Sequence, residues 1–312
     1  MPRLSVRRPR NSNDEDMGLA MLASTLALET VTASLLVSLL ASVASAQTPA
    51  SSSQAGSSRP FEILDNSFFV EEAFNQEPGI FQNITGLSLA SGDEWELGFT
   101  QEWPVISQAH QFSYSVPVLA TMTPGFGETQ RGLGDVLVNY RYQALTEAPG
   151  RPAFSPRFSV VLPTGGESRG LGQGSAGLEI NLPFSKQWQD VYWHWNAGFT
   201  LLPRAYAGEQ PGETETRRES LLSPRLAGSA IYRVRPMFNL MLEIVAQFDE
   251  TPNPTGSTDR DTMVLFSPGF RQGWNVGDQQ LVFGLALPII LTDTDDRTSL
   301  FGYFSYELPF GR

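Results

Sequence analysis

From Gly79 to the end the sequence repeats one pattern twelve times: roughly ten to fourteen residues of alternating polar and apolar character, then a cluster of turn residues. A period of two is that of a β-strand with one apolar face. About 9–11 such residues suffice for a tilted strand to cross a bilayer. The segments fall near 79–90, 93–103, 110–120, 132–145, 152–163, 174–184, 191–203, 220–234, 236–249, 262–273, 278–288 and 298–310. Phe238, Leu240, Leu242, Ile244, Ala246 and Phe248, for example, alternate with Asn239, Glu243, Gln247 and Asp249. The first segment is the weakest, since Phe81-Gln82-Asn83-Ile84 has no clean apolar face.

An even count lets both ends of an antiparallel barrel lie on one side. Loop lengths agree. With the N-terminus inside, the outward connections are 91–92, 121–131, 164–173, 204–219, 250–261 and 289–297, and all but the first exceed every inward one. Long outer loops and short inner turns mark outer-membrane barrels. Trp95, Trp103, Tyr142, Trp193, Trp195, Trp274 and Tyr303 near strand ends suit interfacial girdles. The expected fold is therefore all-β, a transmembrane antiparallel up-and-down barrel of about 12 strands. The last strand resembles the aromatic-rich final strand of bacterial outer-membrane barrels. Leu300, Gly302, Phe304, Tyr306, Leu308 and Phe310 form its apolar face, although Phe301 and Tyr303 interrupt the polar one.

The remaining chain sets four segments. Residues 1–46 read as a signal peptide: Arg3, Arg7, Arg8 and Arg10, then an apolar run from Val31 to Val43, then Ala44-Ser45-Ala46. Cleavage near Ala46 and export to the cell outer membrane of a Gram-negative bacterium follow. Residues 47–60, rich in Ser, Ala, Gln and Pro, read as a flexible linker. Residues 61–78 form an N-terminal segment: either a short helix capped by Asn66 or Ser67 and running through Phe74, placed in the lumen as a plug or at the periplasmic mouth, or a disordered leader. Phe68, Phe69, Glu71, Glu72 and Phe74 are its plug candidates. Residues 79–312 make the barrel.

Composition narrows the function. The net charge of −12, with Lys186 the single lysine, excludes a nucleic-acid surface. With no cysteine there is no disulfide, no thiolate metal site and no lipoprotein anchor. His110 and His194 lie in separate segments without a His-Glu-x-x-His motif, so no metal or other cofactor is expected. Gly172-Gln173-Gly174-Ser175-Ala176-Gly177 matches a dinucleotide fingerprint, but a loop precedes it and a strand follows, so it reads as flexible glycine at a loop tip and in a strand. Asp293-Thr294-Asp295-Asp296 is a solvated turn that could bridge divalent ions to lipopolysaccharide phosphate.

Strand parity turns one set of charges inward: Glu96, Glu102, Asp135, Arg141, Arg157, Glu179, Arg225, Arg233, Glu243, Arg271 and Glu307. Mixed charges in a lumen either pair and close it or line a narrow wet path.

Three stretches carry a resemblance. They are Asn66 to Glu77; Gly132-Leu133-Gly134-Asp135-Val136 with Asn139-Tyr140-Arg141-Tyr142; and Pro156-Arg157-Phe158 through Thr164-Gly165-Gly166 to Gly177–Pro183. Together they resemble the outer-membrane transporter family named for the MetA pathway of phenol degradation. The resemblance implies a porin-like barrel passing hydrophobic or aromatic compounds, and assigns no site residue. The expected activity is diffusion of small solutes through a narrow lumen, without catalysis. Expected partners are outer-membrane lipid and lipopolysaccharide, the barrel insertion machinery and a small-molecule solute. The alternatives are a structural or adhesion barrel binding a partner through loops 204–219 and 250–261, and a barrel-embedded lipid hydrolase using His194.

Overall fold

The structure, a computed structural model, describes residues 61–63, 65–90, 93–122, 128–207, 217–252, 258–277, 279–292 and 296–310. The signal peptide, the linker, and Asp293, Thr294 and Asp295 of the acidic turn lie outside the described residues. From Ile80 the chain forms twelve barrel strands, four of them briefly interrupted. They are β1 (Ile80–Leu89), β2 (Trp95–Val105), β3 (Ser107–Met122), β4 (Thr129–Leu133 and Val136–Tyr142) and β5 (Ala153–Phe154 and Arg157–Leu162). Then come β6 (Gly177–Trp188), β7 (Val191–Tyr206), β8 (Arg218–Arg235), β9 (Phe238–Pro252) and β10 (Thr258–Val276). The last two are β11 (Gln279–Ala286 and Ile289–Thr292) and β12 (Arg297–Thr298 and Leu300–Pro309). Each pairs antiparallel with its sequence neighbours, and β1 pairs with β12 from Ile80↔Pro309 to Leu89↔Leu300, which closes the barrel. The weak apolar pattern of β1 therefore does not prevent closure: backbone pairing on both edges fixes the strand.

Burial is inverted relative to a soluble core. On β9 Leu242 and Ile244 are exposed, whereas Met241, Glu243 and Val245 are buried. A membrane-facing wall explains this, since lipid covers the outer aliphatic face and the lumen holds the polar one. On β12, Leu300 and Phe304 face out, while Phe301, Tyr303 and Ser305 are buried inside. Aromatic pairs gather at the short-turn end. Phe81 stacks on Trp103 at 4.5 Å, Trp103 meets Phe310 at 5.3 Å, and Phe184 stacks on Trp195 at 5.8 Å. Such rings suit a headgroup interface.

The loop pattern departs from expectation in one respect. Strands β8 and β10 run to 18 and 19 residues, so the long outer connections partly become strand. Hairpin backbone bonds satisfy polar groups beyond the membrane as well as within it. Conversely, the inner connection 143–152 is long, and carries bridges Leu145↔Phe154 and Ala148↔Arg151. The other inner turns are tight and place Ile106, Gln189, Met237 and Gly277 at positive φ.

No helix forms over residues 66–76, and no α-helix is present among the described residues. The Asn66 Oδ1 atom does accept a backbone N–H, from Glu72 six residues on at 3.1 Å, too far along the chain for a helix cap. The N–H groups of Phe69, Val70, Glu71, Ala73 and Gln76 find their partners on the barrel wall.

Candidate functional site: the lumen and the segment inside it

Residues 61–79 run inward from the short-turn end, bend near mid-barrel, and return to β1. At entry, the Phe61 ring lies 5.2 Å from Tyr192 and beneath the Arg233 guanidinium at 4.6 Å. Arg233 also binds Asp190. Deeper in, Arg271 donates to the carbonyls of Ile63, Asp65 and Asn66, and the Asp65 carboxylate accepts from Gln82, Tyr303 and Ser305. At the bend Ser67 Oγ meets Ser229 Oγ at 2.8 Å. The N–H groups of Phe69 and Val70 both donate to Glu243 Oε1, at 2.8 and 3.1 Å, and Arg225 donates to the Phe69 carbonyl.

The return limb is held similarly. Asn196 exchanges two hydrogen bonds with the Glu71 backbone, and Arg157 pairs with both Glu71 and Glu179. Ala73 donates to Ser185 Oγ and accepts from Ser155 Oγ. Arg141 bonds Asn75 Oδ1 and the carbonyls of Glu72 and Phe74, and Gln111 accepts from Gln76 N–H. Gly79, at φ +81°, then turns the chain into β1.

The wall thus supplies to an irregular backbone the partners that a helix or strand supplies to itself. The guanidinium of Arg271 is 1% exposed, and three carbonyl bonds offset part of the cost of burying it. Glu71 and Glu72 differ although adjacent. Burial pushes both carboxyls up. For Glu71 the Arg157 guanidinium outweighs that and holds it below the usual carboxylate range. For Glu72 burial, reinforced by the negative Asp65, prevails over Arg141 and Arg271, and the carboxyl is pushed up to about 8.

Most of the charges assigned to the lumen by parity meet here. Arg141, Arg157, Arg225, Glu243 and Arg271 bind the segment directly; Glu179 backs Arg157; Glu102 lies 3.8 Å from Arg141 and accepts from Gln111. Arg233 stands at the short-turn mouth. Glu307 lies on the inner face of β12 opposite Gln82. Glu96 is exposed near the other end, beside a cavity of about 220 Å³ with Ser88, Leu119 and Thr121. Of the plug candidates, Phe68 and Phe69 pack on Phe301 and Tyr303, and Phe74 on Tyr192.

Asp135 does something else. It sits in the break of β4 and accepts the N–H groups of Gly165 and Gln173, tying down the connection 163–176. Thr164 bridges the same break, accepting from Val136 N–H and donating to the Gly134 carbonyl. A Cβ on Gly165 would lie 2.3 Å from the Leu171 carbonyl oxygen, and one on Gly172 2.5 Å from Asp135 Oδ1. Gly172, read from the sequence as flexible glycine, is required by close approach instead. Arg218 clamps Glu167 bidentately at 2.7 and 2.9 Å across this loop.

Charge alone missed the neutral wall residues that carry much of the binding: Gln82, Gln111, Ser155, Ser185, Asn196 and Ser229. Their parity, the same as the charges, was the available signal. Ser185 Oγ also lies 2.7 Å from His194 Nδ1, a pairing no local motif announces. Tight-turn register does announce it, because residues 185 and 194 stand equally far from the Gln189-Asp190 turn. Ser185 is fully buried and its oxygen is occupied by Ala73 N–H; His194 Nε2 has no protein partner.

A cavity of about 330 Å³ remains between residues 66–71 and the inner face of β1–β5, lined by Ile84, Thr100, Ser113, Ser115, Leu137 and Asn139, among others.

No family model matches the chain, and no curated protein does. Among solved structures the fold is similar to the COG4313 outer membrane channel from Pseudomonas putida F1. The TM-score is 0.56 at 12% identity, over 76% of this chain and 98% of that one. Weaker similarities include the NanC porin, with TM-score 0.45 and 11% identity over 74% of this chain and 100% of that one. Another is the CymD monoaromatic hydrocarbon channel, with TM-score 0.41 and 8% identity over 76% of this chain and 90% of that one. The first of these shares the architecture of an outer-membrane β-barrel, a fold in keeping with the burial pattern.

Proposed function

We propose that this barrel is an outer-membrane channel through which small solutes diffuse, and that residues 61–78 are its plug. One observation carries the reading. The lumen is filled by a separate stretch of chain, bound through side chains, and not by the wall's own apolar packing. The wall groups that hold the segment's backbone are polar, so water can take over those hydrogen bonds when the segment withdraws. A barrel built only for rigidity needs no such exchangeable filling. The 330 Å³ cavity lies at the lower end of the volumes that hold small ligands. The motifs behind the resemblance to the MetA-named transporters also gain a physical role. Gly134-Asp135 and Thr164-Gly165 touch, and Asn66 to Glu77 is the segment inside, which supports kinship with that family.

Catalysis is not part of this reading. Ser185 and His194 serve to bind Ala73, and no carboxylate orients the ring from its far side among the described residues. The export signal at 1–46, with cleavage near Ala46, belongs to the same proposal.

Planar-bilayer recording tests it. The full mature chain should give small or rare conductance steps, and deletion of residues 61–77 should enlarge them severalfold. Silence in both forms, from protein shown to be folded by its heat-dependent gel shift, would leave the structural or adhesion barrel standing instead.

A further inference from the structure

The inner wall of β10–β12 contains a notch shaped for one aromatic ring. Gly284 forms its floor and Gly269 its edge. A Cβ on Gly284 would lie 2.3 Å from Phe68 Cζ; one on Gly269 would meet the Leu285 carbonyl oxygen and Ala286 Cβ first, at 2.8 and 2.9 Å, and Phe68 Cε2 at 3.0 Å. Phe301 and Tyr303 form its side, with ring centroids 5.5 and 5.1 Å from that of Phe68. Phe68 therefore occupies a place in the wall that exists because Gly284 has no side chain. Its outer side borders the 330 Å³ cavity.

The notch has polar neighbours on either flank. In the sheet, Gly284 pairs with Arg271 on one side and with Tyr303 on the other. Both are now bound to the segment. Arg271 donates to the carbonyls of Ile63, Asp65 and Asn66, and the Tyr303 hydroxyl donates to the Asp65 carboxylate at 2.6 Å. The segment thus presents an aromatic ring in the notch and a carboxylate at its rim.

We infer that Phe68 and Asp65 together stand in for a solute, and that the notch is a binding site for a single-ring aromatic carboxylate that competes with residues 65–68. When the segment leaves, Tyr303, Ser305 and Arg271 lose their partners together. A flat ring restores the packing on Gly284, and its carboxylate restores the bonds that the Asp65 carboxylate made. Buried donors left unpaired cost more than the bonds they made, which favours a ligand that pairs them. A glycine in a strand interior weakens it unless something approaches closely, and at Gly284 the ring is what approaches. This rests on the channel reading for its purpose, though not for its test.

The probe is benzoate, measured by saturation-transfer NMR on detergent-solubilised barrel, with folding checked by gel shift. Phe68→Ala should bind benzoate well above the wild-type level. Adding Gly284→Val to Phe68→Ala should weaken that binding about tenfold, because the new side chain fills the place of the ring. Cyclohexanecarboxylate, charged but not flat, should bind Phe68→Ala less well than benzoate. Equal benzoate binding with and without Gly284→Val would overturn the site, as would no binding to folded Phe68→Ala. If benzoate binds as expected while bilayers stay silent, the channel reading fails and the site stands. If the plug deletion conducts but benzoate ignores Gly284, the site fails and the channel stands.

Discussion

Two irregular stretches meet the two ends of this barrel, and they are held in different proportions by hydrogen bonds and by close packing. Residues 61–79 lean on the wall: Glu243, Arg271, Arg141, Asn196 and Ser185 reach out from separate strands to their backbone. Residues 163–176 are held from close by: Asp135 accepts the Gly165 and Gln173 N–H groups, glycines fit tightly on Leu171 and Asp135, and one ion pair lies outside. The first stretch is held largely by wall hydrogen bonds that water can take over, with Phe61, Phe68, Phe69 and Phe74 packed on wall aromatics. The second adds to its hydrogen bonds a tight glycine fit, which water cannot replace. On the proposed reading the first stretch is the part that leaves and the second the part that stays.

The contrast can be attacked most strongly at Glu243. One of its oxygens takes both the Phe69 and Val70 N–H groups. Hydrogen bonds to a charged group contribute about 1.5–3 kcal/mol each, offset in part by the cost of burying the carboxylate. Glu243→Ala should raise release of the segment about a hundredfold. The chain has no cysteine, so Val70→Cys, at a position 1% exposed, supplies a clean reporter. Its rate of modification by a thiol reagent should follow release. Unchanged labelling in Glu243→Ala would show that the segment is held by packing like the loop.

The second test uses pH. Burial raises the Glu72 carboxyl to about 8 in the docked segment from its ordinary value of 4.5. Docking therefore keeps a proton that the released segment gives up between those values. Docking is strongest below 4.5, weakens as pH rises to about 8, and levels off above. Once entering water has relieved part of the burial penalty, labelling of Val70→Cys should rise about tenfold across that window, after correction for thiol ionisation. Glu72→Gln should flatten the profile. A profile that persists in Glu72→Gln assigns the proton elsewhere.

The loop should answer differently. Asp135→Ala removes the acceptor of two backbone N–H groups at a cost of about 1–3 kcal/mol. Trypsin cleavage after Arg169, in the short turn Glu167–Arg169, should accelerate about tenfold or more, while Val70→Cys labelling stays put. Movement of both readouts together would join the two regions into one unit.

These differences also mark what a sequence reveals. Twelve strands and their closure were legible because lipid imposes a period of two on every strand alike. Phe301 and Tyr303 were legible only as flaws in that period; they are where the segment packs. The short helix offered as one alternative from Asn66 or Ser67 through Phe74 does not form, for a related reason. Caps and propensities weigh partners within a few residues, whereas Phe69 finds its acceptor on Glu243, 174 residues away. Parity placed the charges inside but could not say that Asp135 holds a loop. That depends on the break after Gly134, where β4 shifts its register against β3.

The smallest effect belongs to Arg218. Its bidentate pair with Glu167 is well formed, yet the two side chains are 26% and 32% exposed. Water and salt screen such a pair to about 0.5–1 kcal/mol, or a two- to fivefold change in local opening. Arg218 also donates to the Gly174 carbonyl at 2.8 Å, which sets the upper end of that range. Arg218→Ala should thus speed trypsin cleavage after Arg169 less than Asp135→Ala does. The wild-type rate should also rise toward the Arg218→Ala rate as salt is raised, with little change in the variant. If Arg218→Ala opened the loop as far as Asp135→Ala, the ion pair and not the glycine packing would be the fastening. The contrast between the two ends would then be one of location alone, since both would hang on charges that water can replace.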